Sequence, residues 1–222
     1  MIQFMLLLMT FVPLTTSSKN NTPLMDNLSN VTNMNIEDKH FRCTEVIGVS
    51  VTADWFSAGF KSAVNSNNWQ LRARQHAFLQ LWADPKNELW LTNVESPCSS
   101  NIQPDRILFA AVNWEYTTVS EWVNSLESVV KNIKNNYFYI KRIELLTMIR
   151  GRHNKSCGSP ETVVDSIVDE AIQIVVNNHS GLVYAGPLFE ATTCDIFVKG
   201  GPHFTKKGMK EVAIMYANYY RD

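Results

Sequence analysis

"RILFAAVN", residues 106–113, places six consecutive apolar residues between Arg106 and Asn113. A strand with one wet face alternates apolar and polar side chains. A run that is apolar at every position is a strand buried on both faces, as in a parallel sheet with helices on each side. Asn113 then puts a polar side chain at the carboxyl end of that strand.

The segments on either side extend the pattern. "TEVIGVSV" (44–51) is a short β-branched run closing on a Gly-x-Ser turn, and "ELWLTNV" (88–94), "RIELLTMI" (142–149) and "GLVYAGPLF" (181–189) read as further strands. Helical spacing fills the intervals. "WQLRARQHAFLQLWA" (69–83) has apolar residues at roughly helical steps, and 119–137 carries Trp122, Leu126, Val129 and Ile133 three and four apart. "PETVVDSIVDEAIQIVVNNH" (160–179) opens with Pro160 and Glu161, both suited to a first helical turn, and "MKEVAIMYANYY" closes the chain. Five strands alternating with helices predict a doubly wound α/β domain whose parallel sheet is covered on both faces.

Length and composition narrow the function. At 222 residues and 45% hydrophobic composition the chain can bury one full core. Its net charge of −1, with 20 Lys and Arg dispersed along it, lacks the basic footprint of a nucleic-acid binder. The apolar run Ile2–Leu14 is short for a bilayer span and ends in small polar residues, so residues 1–17 are expected to be a signal peptide. Residues 18–40, rich in Asn, Ser and Thr, are expected to be a flexible lead-in to a domain over 41–222, and no membrane span is expected in the mature protein. Sequons at Asn20, Asn27, Asn30, Asn154 and Asn178 and an even number of cysteines agree with a secreted glycoprotein. A Cys157–Cys194 disulfide is favoured because both residues follow strands. That leaves Cys43 with Cys98, a pair that needs a loop to fold back. His40, His76, His153 and His179 show no metal-ligand spacing, so neither metal nor cofactor is expected.

In such sheets chemistry sits on the loops beyond the carboxyl ends of the strands. Ser50 follows the first strand, Asn113 ends the central one, and His203 lies in "KGGPHFTKKG" (199–208), just before the last helix. Together they offer a nucleophile, an oxyanion donor and a base. Trp55, Trp114 and Tyr116 fall on the same loops and would suit a sugar ring or an acyl chain at the rim.

Gly48, Ser50 and Thr52 in "GVSVT", Asn113 in "AVNW", and His203, Phe204, Thr205 and Gly208 in "GGPHFTKKG" resemble, in order and spacing, the blocks of the SGNH (GDSL-type) hydrolases. The resemblance runs from about Cys43 to the C-terminus. It implies a flavodoxin-like three-layer α/β/α sandwich with a five-stranded parallel sheet, and a serine esterase acting on an O-acyl or acetyl ester of a carbohydrate or small alcohol. Ser50 would be nucleophile, His203 base and Asn113 oxyanion donor, with no cofactor. Three positions depart from the family. Val49 and Trp114 replace acids, and Gly200 stands where the triad acid belongs. A backbone carbonyl near His203, Asp195 or Glu115 could orient the imidazole instead. The gap also admits an alternative, an inactive SGNH-like fold binding a glycan or a protein.

Overall fold

The structure is a computed structural model that describes residues 41–99, 102–151, 165–199 and 201–221. The expected signal and lead-in segments, four of the five sequons, Cys157 and Gly200 lie outside the described residues.

Five parallel strands form the sheet: β1 Thr44–Val49, β2 Trp69–Arg74, β3 Arg106–Ala110, β4 Arg142–Leu146 and, after the short β5 Arg150–Gly151, β6 Val183–Ala185. Their order is β2-β1-β3-β4-β6, with every pairing parallel. Ile107, Leu108 and Phe109 of β3 are fully buried, as their unbroken apolar run requires. β5 pairs only with β7, Glu190–Ala191, in a separate two-stranded ribbon.

Helices cover both faces. On one side lie α1 Ser50–Trp55, α2 Lys61–Val64 and the last helix, α6 Lys206–Tyr220; on the other lie α3 Leu79–Ala83, α4 Val119–Asn136 and α5 Asp165–Asn178. α4 begins with a capping box, in which Thr118 accepts from the Glu121 amide and the Glu121 carboxylate accepts from that of Thr118. Its Trp122, Leu126, Val129, Val130 and Ile133 are buried, the stripe legible in their spacing.

Two expected elements exchange identity. Residues 69–74, expected to begin a helix, form edge strand β2, and 88–91 is a 3-10 turn instead of a strand. Period two explains the first: Gln70 and Arg72, two residues apart, both face Glu45 and donate to its carboxylate at 2.5 and 2.6 Å. In the second, the Asn87 side chain accepts from the Leu89 amide and caps a helical turn that leaves Leu91 85% exposed.

The exchange also resolves a cysteine pairing. Because β3 is parallel to β1, the chain must return to the amino edge of the sheet before Arg106, and Cys98 lies on that return. It is bonded to Cys43, with 5.9 Å between Cα atoms, and the Cys98 amide donates to the Gln70 side chain. Cys194 is disulfide-bonded as well, and the expected partner, Cys157, lies outside the described residues.

Candidate active site

α1 starts directly from β1, so Ser50 follows the last residue of a central strand and is the first residue of a helix. Such a tight turn needs a small residue beneath it. A Cβ on Gly48 would sit 2.3 Å from Thr52 Oγ1 and 3.0 Å from Ala110 Cβ, so glycine lets the helix fold back over the strand. The Gly-x-Ser-x-Thr pattern is thus a packing requirement that leaves the half-exposed Ser50 at the sheet edge.

The histidine block has a similar logic. Thr205 caps α6 by accepting from the Gly208 amide at 3.1 Å, and its own amide donates to Ile196 O at 2.8 Å. A Cβ on Gly208 would lie 2.0 Å from that same carbonyl oxygen, so only glycine lets the helix start this close to the 194–196 turn. Phe204 is buried against Phe197, and the Val198 amide donates to His203 O at 2.8 Å. The signature Phe-Thr-x-x-Gly therefore anchors a loop whose remaining task is to present His203.

The two blocks meet. Ser50 Oγ and His203 Nε2 are 3.3 Å apart, across 153 residues of sequence. On the other side of the ring, His203 Nδ1 lies 2.8 Å from Asp54 Oδ2. The carboxylate can only accept, so Nδ1 carries a proton and Nε2 in the neutral ring is free to accept from Ser50. The Asp54 side chain is 18% exposed and that of His203 43%, so the carboxylate is the more sheltered member of the pair.

Asp54 was not among the candidates for the missing acid. The three alternatives for Gly200 give way to a residue one helical turn beyond Ser50. Asp195 is exposed and faces Lys207 at 3.9 Å, and Glu115 is exposed on the loop after β3. The signal was present in the sequence: Val51, Thr52, Trp55 and Phe56 form a buried helical stripe, which puts Ser50 and Asp54, four apart, together on the polar side. Read as a loop, 50–60 hides that relation. The helix is interrupted only at Gly59, whose φ of 117° breaks the regular turn.

Asn113 sits just past β3, 1% exposed, with its carboxamide held at both ends. Oδ1 accepts from the amides of Glu115 at 2.6 Å and Tyr116 at 3.0 Å, and Nδ2 donates to Gln80 Oε1 at 2.5 Å. The neighbouring loops are stitched together by Leu79 N donating to Val112 O at 2.8 Å. Phe78 and Trp114 meet edge to face across that seam, both half-buried. The other rim candidates turn inward. Trp55 is buried and stacked on Tyr216 with ring centroids 4.2 Å apart, and Tyr116 packs edge-on against Trp122 with its hydroxyl on Ser125. Against the buried face of α1, a cavity of about 20 Å³ is lined by Val51, Thr52, Val112, Met148, Phe204 and Tyr216. Among the described residues no cluster of His, Cys, Asp and Glu is arranged to hold a metal ion.

No protein-family profile matches the chain, and no curated protein is similar to it in sequence. Solved structures do resemble its fold. A platelet activating factor structure from Streptococcus pneumonia superimposes with a TM-score of 0.54 at 13% identity, covering 80% of this chain and 83% of its own. An acylhydrolase from Bacteroides fragilis covers 83% of this chain and 90% of its own at 14% identity, with a TM-score of 0.49. An acetyl esterase solved with an acetate ion covers 80% and 95% at 14% identity, also with a TM-score of 0.49. The fold assignment rests on the first of these. It is an SGNH-like α/β fold with a five-stranded parallel sheet.

Proposed function

We propose that this protein is a secreted serine esterase that removes a small O-acyl group, with Ser50, His203 and Asp54 as its triad. The observation that carries the reading is the unbroken chain from Ser50 Oγ through the imidazole to Asp54 Oδ2, at 3.3 and 2.8 Å. The serine–histidine separation is long for a hydrogen bond to a hydroxyl, as is common before substrate binds.

In this mechanism Ser50 Oγ attacks the ester carbonyl while its proton passes to His203 Nε2. Asp54 holds the ring in the required tautomer and stabilises the imidazolium that forms. The Ser50 amide, at the start of α1, and the Asn113 carboxamide donate to the oxyanion. Collapse expels the alcohol, which takes the proton from His203 and leaves an acyl-serine. Water then attacks, with His203 again as base, and releases the acid. No cofactor enters the sequence.

The cavity lined by Val51 and Phe204, the chain neighbours of Ser50 and His203, has room for about one water-sized group, which favours an acetyl group over longer chains. On the alcohol side the half-buried Phe78 and Trp114 favour an O-acetylated sugar ring. The Cys43–Cys98 disulfide agrees with an oxidising, extracellular setting. The inactive-binder alternative drew its force from the gap at Gly200, and Asp54 removes that motive.

The test is hydrolysis of p-nitrophenyl esters of two, four and eight carbons. The acetate is expected to be cleaved with the highest kcat/KM, and Ser50→Ala to abolish turnover. A folded wild-type protein that cleaves none of the three, or a Ser50→Ala variant that cleaves them normally, would refute the assignment.

A further inference from the structure

The reaction above asks one more thing of Asn113: its amide must already point at the oxyanion before any substrate arrives. Catalysis by such donors depends on preorganisation, because a donor that must first swing into place spends part of its stabilisation doing so. A free carboxamide at a loop tip has two broad orientations and can exchange its oxygen and nitrogen ends.

In this structure neither freedom survives. Two backbone amides, of Glu115 and Tyr116, donate to the same end of the side chain, which fixes that end as Oδ1. The opposite end is therefore the NH2 group. One of its two hydrogens is taken by Gln80 Oε1 at 2.5 Å. With the plane set by the turn and one N–H committed to Gln80, a single N–H is left, in a fixed direction.

We propose that Gln80 is a positioning residue: its side-chain oxygen orients the Asn113 amide so that the remaining N–H serves the oxyanion. The inference rests on the esterase reading and adds to it a residue that neither the blocks of sequence nor the triad geometry marks. Gln80 lies in the first turn of α3, and the main-chain bond from the Leu79 amide to Val112 O joins the same two loops independently of the side chain. The role is thus separable from holding the loops together.

The separation gives the test. Gln80→Met keeps length and bulk but removes the acceptor. Asn113→Asp keeps an oxygen for the Glu115 and Tyr116 amides but removes the N–H donor. With p-nitrophenyl acetate, Asn113→Asp is expected to lower kcat about 100-fold or more, the usual loss for one oxyanion donor. Gln80→Met is expected to lower kcat about tenfold, a misorientation effect, with KM and melting temperature nearly unchanged. In the Asn113→Asp background, Gln80→Met should then cost nothing further. A Gln80→Met variant with wild-type kcat overturns the proposal. So does an equal fall in both backgrounds or one accompanied by a large drop in melting temperature, either of which marks Gln80 as merely structural. Failure of the esterase reading itself looks different: the wild-type protein would then show no Ser50-dependent turnover at all.

Discussion

Asp54 is the residue on which the proposed mechanism turns. In a neutral imidazole, Nε2 can receive the Ser50 proton only if Nδ1 holds the other one, and a carboxylate 2.8 Å away enforces that arrangement. Its supply from the nucleophile's own helix has a structural consequence. Ser50 and Asp54 move as one rigid turn, so only the loop carrying His203 must be placed independently. Asp54→Asn preserves shape while removing the charge and favouring the wrong tautomer. It is expected to lower kcat by about 10³–10⁴, with the melting temperature little changed, measured with p-nitrophenyl acetate and by thermal denaturation. Asp195→Asn, at an exposed position facing Lys207, should leave turnover within about twofold, the size of effect typical for surface changes away from a site.

At the level of elements, the placement of His203 depends on how closely α6 approaches the 194–196 turn. Gly208→Ala would push a methyl into Ile196 O, a backbone atom that cannot yield without moving the loop. The expected result is a fall in melting temperature together with loss of activity, and crystallography or NMR of the variant should find the His203 loop displaced. Unchanged turnover in Gly208→Ala would show that the close approach is dispensable. This element-level logic also explains what sequence alone could reveal. The unbroken apolar run of β3 and the apolar stripe of α4 each state a local requirement strongly enough to be read directly, and the glycine and threonine of the last block are legible through the resemblance. The exchange of strand and helix over 69–91 was only partly legible. "WQLRAR" alternates apolar and polar at every step, the period of a strand. The helical spacing of the residues after it carries a helix reading across the whole window, and the partner that confirms the strand, Glu45, is 25 positions from Gln70. The same limit hid Asp54. Ser50 and His203 lie in recognisable blocks, whereas a carboxylate four residues along becomes meaningful only once 50–55 is seen to be helical.

Across the whole molecule, the carboxyl edge of the sheet carries Ser50, Asp54 and His203 and the amino edge carries the bracing. There Cys43–Cys98 closes the return loop, Tyr137 donates to buried Glu45, and Tyr220 donates to buried Glu144. Burial first, and the adjacent carboxylates second, hold the Tyr137 and Tyr220 hydroxyls well above the usual phenol range, and burial raises Tyr216 as well. In the unfolded chain these groups ionise near a pKa of about 10. Folding thus favours their protonated forms. Their contribution to stability is complete below pH of about 10 and is lost as the pH rises through the folded-state values. Chemical denaturation between pH 8 and 12 should therefore show stability falling from about pH 10 upward. Absorbance at high pH should show a class of tyrosines that ionises only with unfolding. Substituting Tyr137→Phe and Tyr220→Phe together should flatten that fall. At the opposite edge the central proposal is that Ser50 is a nucleophile activated through His203 by Asp54. Its most direct test is mass spectrometry of the protein after exposure to a fluorophosphonate. A single adduct is expected on Ser50, forming rapidly in the wild type, far more slowly in Asp54→Asn and not at all in His203→Ala. A protein that remains unmodified, or is modified at another residue at a rate indifferent to His203 and Asp54, would contradict it.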